Sequence, residues 1–325
     1  MSGANGPSGP ERAGAGGANG PSGPERAGAG GASGPERAGA GTAAFEALLE
    51  VLAVEPLGED RFRGLPSAPT GPAGNLYGGH LLGQCLAAMC RTVPADRPVH
   101  SLHAYFLRPG DAGTDLVHEV HRTRDGRSFS HRRAVAVQHG QAVFEMTASF
   151  HRGEPGPDFH QPMPDDVVPP EALPGFAELM ASHATPPFDG YWMDLPRPLD
   201  LRYVDAPWTT TGPTAARGIR VWLRSFGPLP EDPHLHACVL AYGADESISD
   251  NVLVPHGVRW TDEGLDVASL DHSMWFHQPF RCDDWLLVVQ EPVATAAARG
   301  LATGRVWDRH GRLVATMAQE ALMRI

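Results

Sequence analysis

Two segments about 170 positions apart repeat one another, and this repeat constrains the fold more than any other feature of the 325-residue chain. His100-Ser-Leu-His-Ala-Tyr-Phe-Leu-Arg-Pro109 lies over Leu270-Asp-His-Ser-Met-Trp-Phe-His-Gln-Pro279. At nearly the same shift, His139-Gly-Gln-Ala-Val-Phe-Glu-Met146 lies over His310-Gly-Arg-Leu-Val-Ala-Thr-Met317. Two matches at one offset, each reaching the same turn residues, point to a duplicated unit. Within the first copy, Leu81, Leu82, Cys85, Leu86 and Met89 fall at helical spacing after Gly78-Gly79, and Gly83, Ala87 and Ala88 allow close packing of a buried helix. Strand patterns follow over 100–107, 115–122, 130–138 and 142–151, the last two joined by the hairpin signal His139-Gly140-Gln141. A helix followed by antiparallel strands, made twice, gives an α+β class with each unit a helix against a sheet.

The flanks set the boundaries. Residues 1–42 repeat a Gly/Ala/Pro-rich unit that cannot bury enough apolar surface to offset its ordering entropy, so disorder is expected there. The first unit then runs over 43–152, opening with a short helix over 45–54 and an edge strand over 61–65. A proline-rich linker over 153–198 is expected to drape over the surface, with one short helix at 177–182. The second unit fills 199–325, with strands at 201–204 and 218–224 and helical stretches at 234–242 and 245–253.

A formal charge of −12 argues against nucleic acid as a partner. All 26 basic residues are arginine, which removes Schiff-base lysine chemistry and a Walker-type phosphate loop. Cys85, Cys90, Cys238 and Cys282 show no paired spacing and read as reduced, mostly buried thiols. With neither a signal-peptide pattern nor an apolar span, a soluble cytoplasmic protein without membrane contact is the expectation.

The segment Ser269 to Phe280 alternates polar and apolar residues as a half-buried strand does. Laying the halves over one another shows what the second copy holds alone. Gln319 lies opposite Ala148, and Ser269 opposite Val99; Asp245 precedes an apolar helix whose counterpart turn, Tyr77-Gly78-Gly79, has no acid. Taken singly, Asp245 reads as a helix cap, Ser269 as a strand-end hydroxyl and Gln319 as an outward strand residue. Their joint appearance in one copy favours a site. His234, His236 and Cys238 would share one face if extended, but no fourth ligand is evident and no metal is expected. Arg127, Arg132 and Arg133 read equally as a solvated strand face or as phosphate contacts.

Gly78-Gly79 with Gly83-Gln84, Val99 to Gly110, Arg124 to Ser130, Leu240 to Asp245, Leu270 to His277 and Ala318 to Glu320 together resemble the type II acyl-CoA thioesterases, over roughly residues 43–325. The Asp271-to-His277 run is the most specific of these. The resemblance implies a double hotdog, an acyl-CoA substrate, no cofactor beyond the substrate's own coenzyme A, and a homo-oligomer, dimer or tetramer. It places the family's catalytic trio on Asp245, Ser269 and Gln319, with Gly78, Gly79 and His272 as substrate-binding candidates. Ser269 stands where some members have Thr, and keeps the hydroxyl; Gln278 stands where some relatives have Arg.

No Gly-x-Ser-x-Gly elbow and no Cys/His pairing is present, so direct attack by water is expected. Asp245 would accept its proton, Ser269 and Gln319 would orient it, and amides at the starts of the central helices would stabilise the oxyanion. His272 is a competing base by its ordinary pKa, though a structural role is the stronger reading. A hotdog enoyl-CoA hydratase using Asp271-His272, or a non-catalytic acyl-CoA binding protein, are the alternatives.

Overall fold

The computed structural model describes residues 34–67, 74–183, 195–208 and 218–325, with side chains from residue 39 onward. The first unit comprises α1 (Gly34–Leu52), β1 (Glu55–Gly58), β2 (Arg61–Gly64), α2 (Gly78–Cys90), β3 (Val99–Phe106), β4 (Leu116–Asp125), β5 (Phe129–Gln138) and β6 (Gln141–His151). After a short α3 (Phe176–Ala181), the second comprises β7 (Leu199–Asp205), β8 (Ile219–Ser225), α4 (Pro233–Ala244), α5 (Asp250–Leu253), β9 (Asp266–Ser269), β10 (Asp271–Phe276), β11 (Leu286–Ala296), β12 (Arg299–Asp308) and β13 (Leu313–Arg324).

Every strand joins one antiparallel sheet in the order β1-β2-β4-β5-β6-β3-β10-β13-β12-β11-β8-β7, with β9 pairing off the path to β13. The order reads the same from both ends once each first-unit strand is matched to its second-unit counterpart. The fold is a double hotdog, and β3 against β10 is the seam, with His103 opposite Ser273. The repeat seen in the sequence is thus carried into hydrogen-bond register. The hairpin between β5 and β6 turns on His139 and Gly140, both at positive φ, the type I′ geometry whose twist suits adjoining strands.

The two central helices lie against each other inside the sheet, antiparallel, and glycine sets their separation. A Cβ on Gly79 would stand 2.1 Å from the Tyr242 carbonyl oxygen, and one on Gly78 would stand 2.5 Å from Asp245 Oδ2. Gly83 faces the Cys238 carbonyl in the same way. The start of α2 therefore meets the end of α4. Asp232 accepts from His234 N–H at 2.9 Å and Pro233 occupies the first turn, which fixes where α4 begins.

Four expectations change. The first helix reaches upstream to Gly34, into the tail assigned to disorder; Ala40, Ala43, Ala44 and Ala47 are strong helix formers, and Phe45, Leu48 and Leu52 bury its inner side. Residues 1–33 of that tail lie outside the described residues. β2 is not an edge strand, because β1 pairs along its outer side. The stretch 245–253 is helical only over Asp250–Leu253; Asp245 is the C-cap of α4, so it ends a helix rather than preceding one. Its counterpart is therefore the end of α2, and Gly78-Gly79 is its neighbour across the helix pair.

The linker has a definite seat. Trp222 and Trp307 donate their indole N–H groups to the carbonyls of Val168 and Gln161, and Met163, Val167 and Leu173 pack on a second apolar cluster formed by Trp222, Trp285, Leu287 and Trp307. That cover explains why β11 opens with five consecutive buried residues instead of an alternating pattern.

Candidate active site

Asp245, Ser269 and Gln319 come from the end of α4, the end of β9 and the middle of β13, and they meet at one point. Gln319 Nε2 lies 2.9 Å from each of Asp245 Oδ1, Ser269 Oγ and Ser249 Oγ, so its two hydrogens serve three acceptors. Ser269 Oγ in turn donates to Asp245 Oδ1 at 3.3 Å. The α2 start completes the ring, with the Gly79 N–H donating to the Asp245 carboxylate.

Burial dominates the electrostatics of Asp245. Desolvation pushes its carboxyl up to about 6, against the lowering effect of the hydrogen bonds from Gln319, Ser269 and Gly79. One edge of the carboxylate faces a cavity of about 840 Å³, while protein surrounds the rest. At neutral pH the group is ionised yet basic.

The orientation of Gln319 is set from behind. His272 is fully buried on β10 and donates from Nδ1 to Gln319 Oε1, which turns the amide N–H groups toward Asp245. Burial also pulls His272 down to about 4, so the ring is neutral and its proton stays on the nitrogen that faces Gln319. His272 is absent from the cavity wall, and its expected contact with substrate is corrected to a place behind Gln319. Register explains why only one half has this arrangement. Where the second unit sets His272 on β10 beside Gln319 on β13, the first sets Leu102 opposite Ala148.

Gly78 and Gly79 do not line the cavity either; they stand between the two helices, where their missing side chains let Asp245 and α2 approach. Asp271 and His272 point to opposite faces of β10, and Asp271 Oδ1 accepts from Glu320 N–H instead, so they do not act as a dyad. His234, His236 and Cys238 lie on α4, where steps of two residues diverge; His234 bonds the Arg97 carbonyl and His236 Nδ1 accepts from Cys282 N–H. Arg132 is buried against Thr92 and Asp125, and Arg133 pairs with Glu145, which leaves Arg127 alone of the three without a side-chain bond of this kind among the described residues. Gln278 donates to Asp158.

Several cavity residues escaped the sequence reading. Ser249 follows Asp245 by four positions, a spacing that suggests proximity but not its role as a third acceptor for Gln319. Tyr77 donates to the Tyr242 carbonyl at 3.1 Å and packs edge-on against that ring. Ala43, Ala47 and Val51 of α1 form an apolar wall opposite.

Comparison with known proteins now decides the family. The acyl-CoA thioesterase model matches residues 200–322, and the model of the acyl-CoA thioesterase N-terminal domain matches 66–151. Acyl-coenzyme A thioesterase 8 of Rattus norvegicus is 39% identical over 284 residues, covering 84% of this chain and 88% of the relative. The chain belongs to the acyl-CoA thioesterase family. Acyl-CoA thioesterase 2 of Haemophilus influenzae is 32% identical over 280 residues, covering 85% of this chain and 96% of its own. The crystal structure of the acyl-CoA thioesterase II TesB2 from Mycobacterium marinum superposes with a TM-score of 0.70 at 39% identity, covering 85% of this chain and 98% of that one. Both halves of the repeat thus match acyl-CoA thioesterase models. Among the described residues no helix is long and apolar enough to cross a membrane.

Proposed function

We propose that this thioesterase hydrolyses fatty acyl-CoA to the free acid and coenzyme A through a water activated by Asp245. Family membership supplies the reaction; the division of labour among the residues is our reading. The carboxylate takes a proton from water as the oxygen attacks the thioester carbonyl. Ser269 and Gln319 hold that water by hydrogen bonds, and the partial positive end of α2 faces the developing negative charge. The C–S bond then breaks, and the thiolate of coenzyme A takes up the proton. No cofactor enters the scheme. The observation that carries it is the meeting of a desolvated carboxylate with an amide whose orientation is fixed by a neutral histidine.

The apolar wall from α1 suits an alkyl chain, which supports a fatty acyl substrate. The outer face of the seam carries Tyr105, 61% exposed, and further along it Trp275, whose ring meets that of His103; these exposed aromatic rings support a homo-oligomer, dimer or tetramer, built through the seam. Four free thiols fit a reducing, cytoplasmic setting. Thiol release from acyl-CoAs of graded chain length tests the reading, run beside Asp245→Asn. The variant should fold and bind acyl-CoA but release no thiol. Wild-type turnover by Asp245→Asn would remove Asp245 from the mechanism.

A further inference from the structure

A second buried carboxyl group lines the same cavity. Asp250 opens α5, five residues beyond Asp245, and is 7% exposed. Its Oδ1 accepts the indole N–H of Trp260, and among the described residues that is the hydrogen bond its carboxyl receives. The nearby cation Arg197, which acts on Asp250 through its charge, pairs with Glu246 and lies 4.1 Å over the ring of Phe176. No ion pair reaches Asp250 among the described residues. Asp250 also borders a small side recess whose wall includes Pro207, Leu253, Val254, Val258, Arg259 and Trp260. A polar group thus stands at a branch of an otherwise largely apolar chamber.

An unsubstituted alkyl chain filling this chamber would offer no hydrogen bond to the Asp250 oxygen that Trp260 does not serve. Leaving a buried acceptor unbonded is costly, and sites built around such a group discriminate strongly against ligands that cannot bond it. A hydroxyl on the acyl chain is the complementary partner. It can donate to a carboxylate or accept from a carboxylic acid, and burial pushes Asp250 up to about 7, so both forms are present at neutral pH. A carboxylate on the chain would meet Asp250 as a like charge.

We propose that Asp250 is a specificity-determining residue that binds a hydroxyl group on the acyl chain, making hydroxyacyl-CoA the preferred substrate class. The proposal rests on the Asp245 cavity being the thioester site. Its test uses dodecanoyl-CoA and a series of hydroxydodecanoyl-CoAs with the hydroxyl moved from C3 to the terminal carbon. At one or a few adjacent positions, wild-type kcat/KM should exceed that for dodecanoyl-CoA by roughly tenfold or more, equivalent to about 1.4 kcal/mol. In Asp250→Leu that ratio should fall to near one, and in the isosteric Asp250→Asn part of it should remain. Absence of any hydroxyl preference in the wild type, or a preference that survives Asp250→Leu, overturns the assignment. Calorimetric binding of the same esters to Asp245→Asn reads the preference without turnover, so failure of the hydroxyl assignment is distinct from failure of Asp245 as base.

Discussion

Replacing Asp245 by Asn is expected to make the protein more stable at neutral pH while ending its activity. Burial raises the carboxyl from 3.8 to about 6, a change of about two units. At 1.36 kcal/mol per unit, keeping this group ionised costs the folded state at most about 3 kcal/mol. The cavity-facing edge retains some hydration, so about 1–3 kcal/mol is the expected range. A carboxyl whose pKa is raised by folding holds its proton more tightly in the native state. Its contribution to stability is therefore fully present below the unfolded value near 3.8 and is lost as pH rises through about 6. Asn does not titrate and escapes that loss. Urea unfolding of both proteins across this range should show little difference at about pH 4. The gap should open in favour of Asp245→Asn up to about pH 6 and stay level above it. For a domain of this size each kcal/mol corresponds to about 2–4 °C in Tm. A gap independent of pH, or a variant less stable than wild type at neutral pH, would refute the argument that desolvation outweighs the three hydrogen bonds to this carboxylate.

The same group sets the acid limb of catalysis: kcat/KM should fall about tenfold per unit below about pH 6, where an unburied aspartate would hold its activity nearly to pH 4. Gln319→Leu removes both donors from Asp245 and Ser269 and is expected to lower kcat roughly a hundredfold or more, with KM for acyl-CoA little changed. His272→Leu leaves Gln319 Oε1 buried without a donor; it should cost about 1–3 kcal/mol in urea unfolding and lower kcat. The acid limb should nonetheless stay near pH 6, whereas a histidine base would take the limb with it. Gly79→Ala places a methyl 2.1 Å from the Tyr242 carbonyl oxygen, so α2 and α4 must part. Loss of about 1–3 kcal/mol in the unfolding free energy, together with loss of thiol release, is expected.

Much of this architecture was legible in the residues because it is written in local periodicity. The spacing of Leu82, Cys85, Leu86 and Met89 marks α2, and His139-Gly140 marks its hairpin, since each is a property of a few consecutive residues. The duplication was legible for a different reason: a repeat is a comparison of the sequence with itself. It isolated Gln319 against Ala148 correctly, because paired strands preserve register. It misplaced Asp245 against Gly78, because helices that pack antiparallel bring together residues with no common position in the repeat. The helical continuation to Gly34 was also missed. An alanine-rich segment helical by propensity is indistinguishable from a disordered tail until it has a surface to lie on.

The composition argued against nucleic acid and left no lysine for chemistry; the repeat defined a duplicated helix-and-sheet unit and singled out three polar residues, and the resemblance of its motifs implied the double hotdog. Tertiary structure alone decided what those residues are to one another. Asp245 is basic because α2, α4 and β13 remove its water, a consequence of packing that no spacing encodes. His272 is neutral and turned toward Gln319 for the same reason. The second carboxyl, Asp250, has no motif to mark it in the sequence; the fold encloses it beside Trp260, where burial makes an ordinary side chain a selective one.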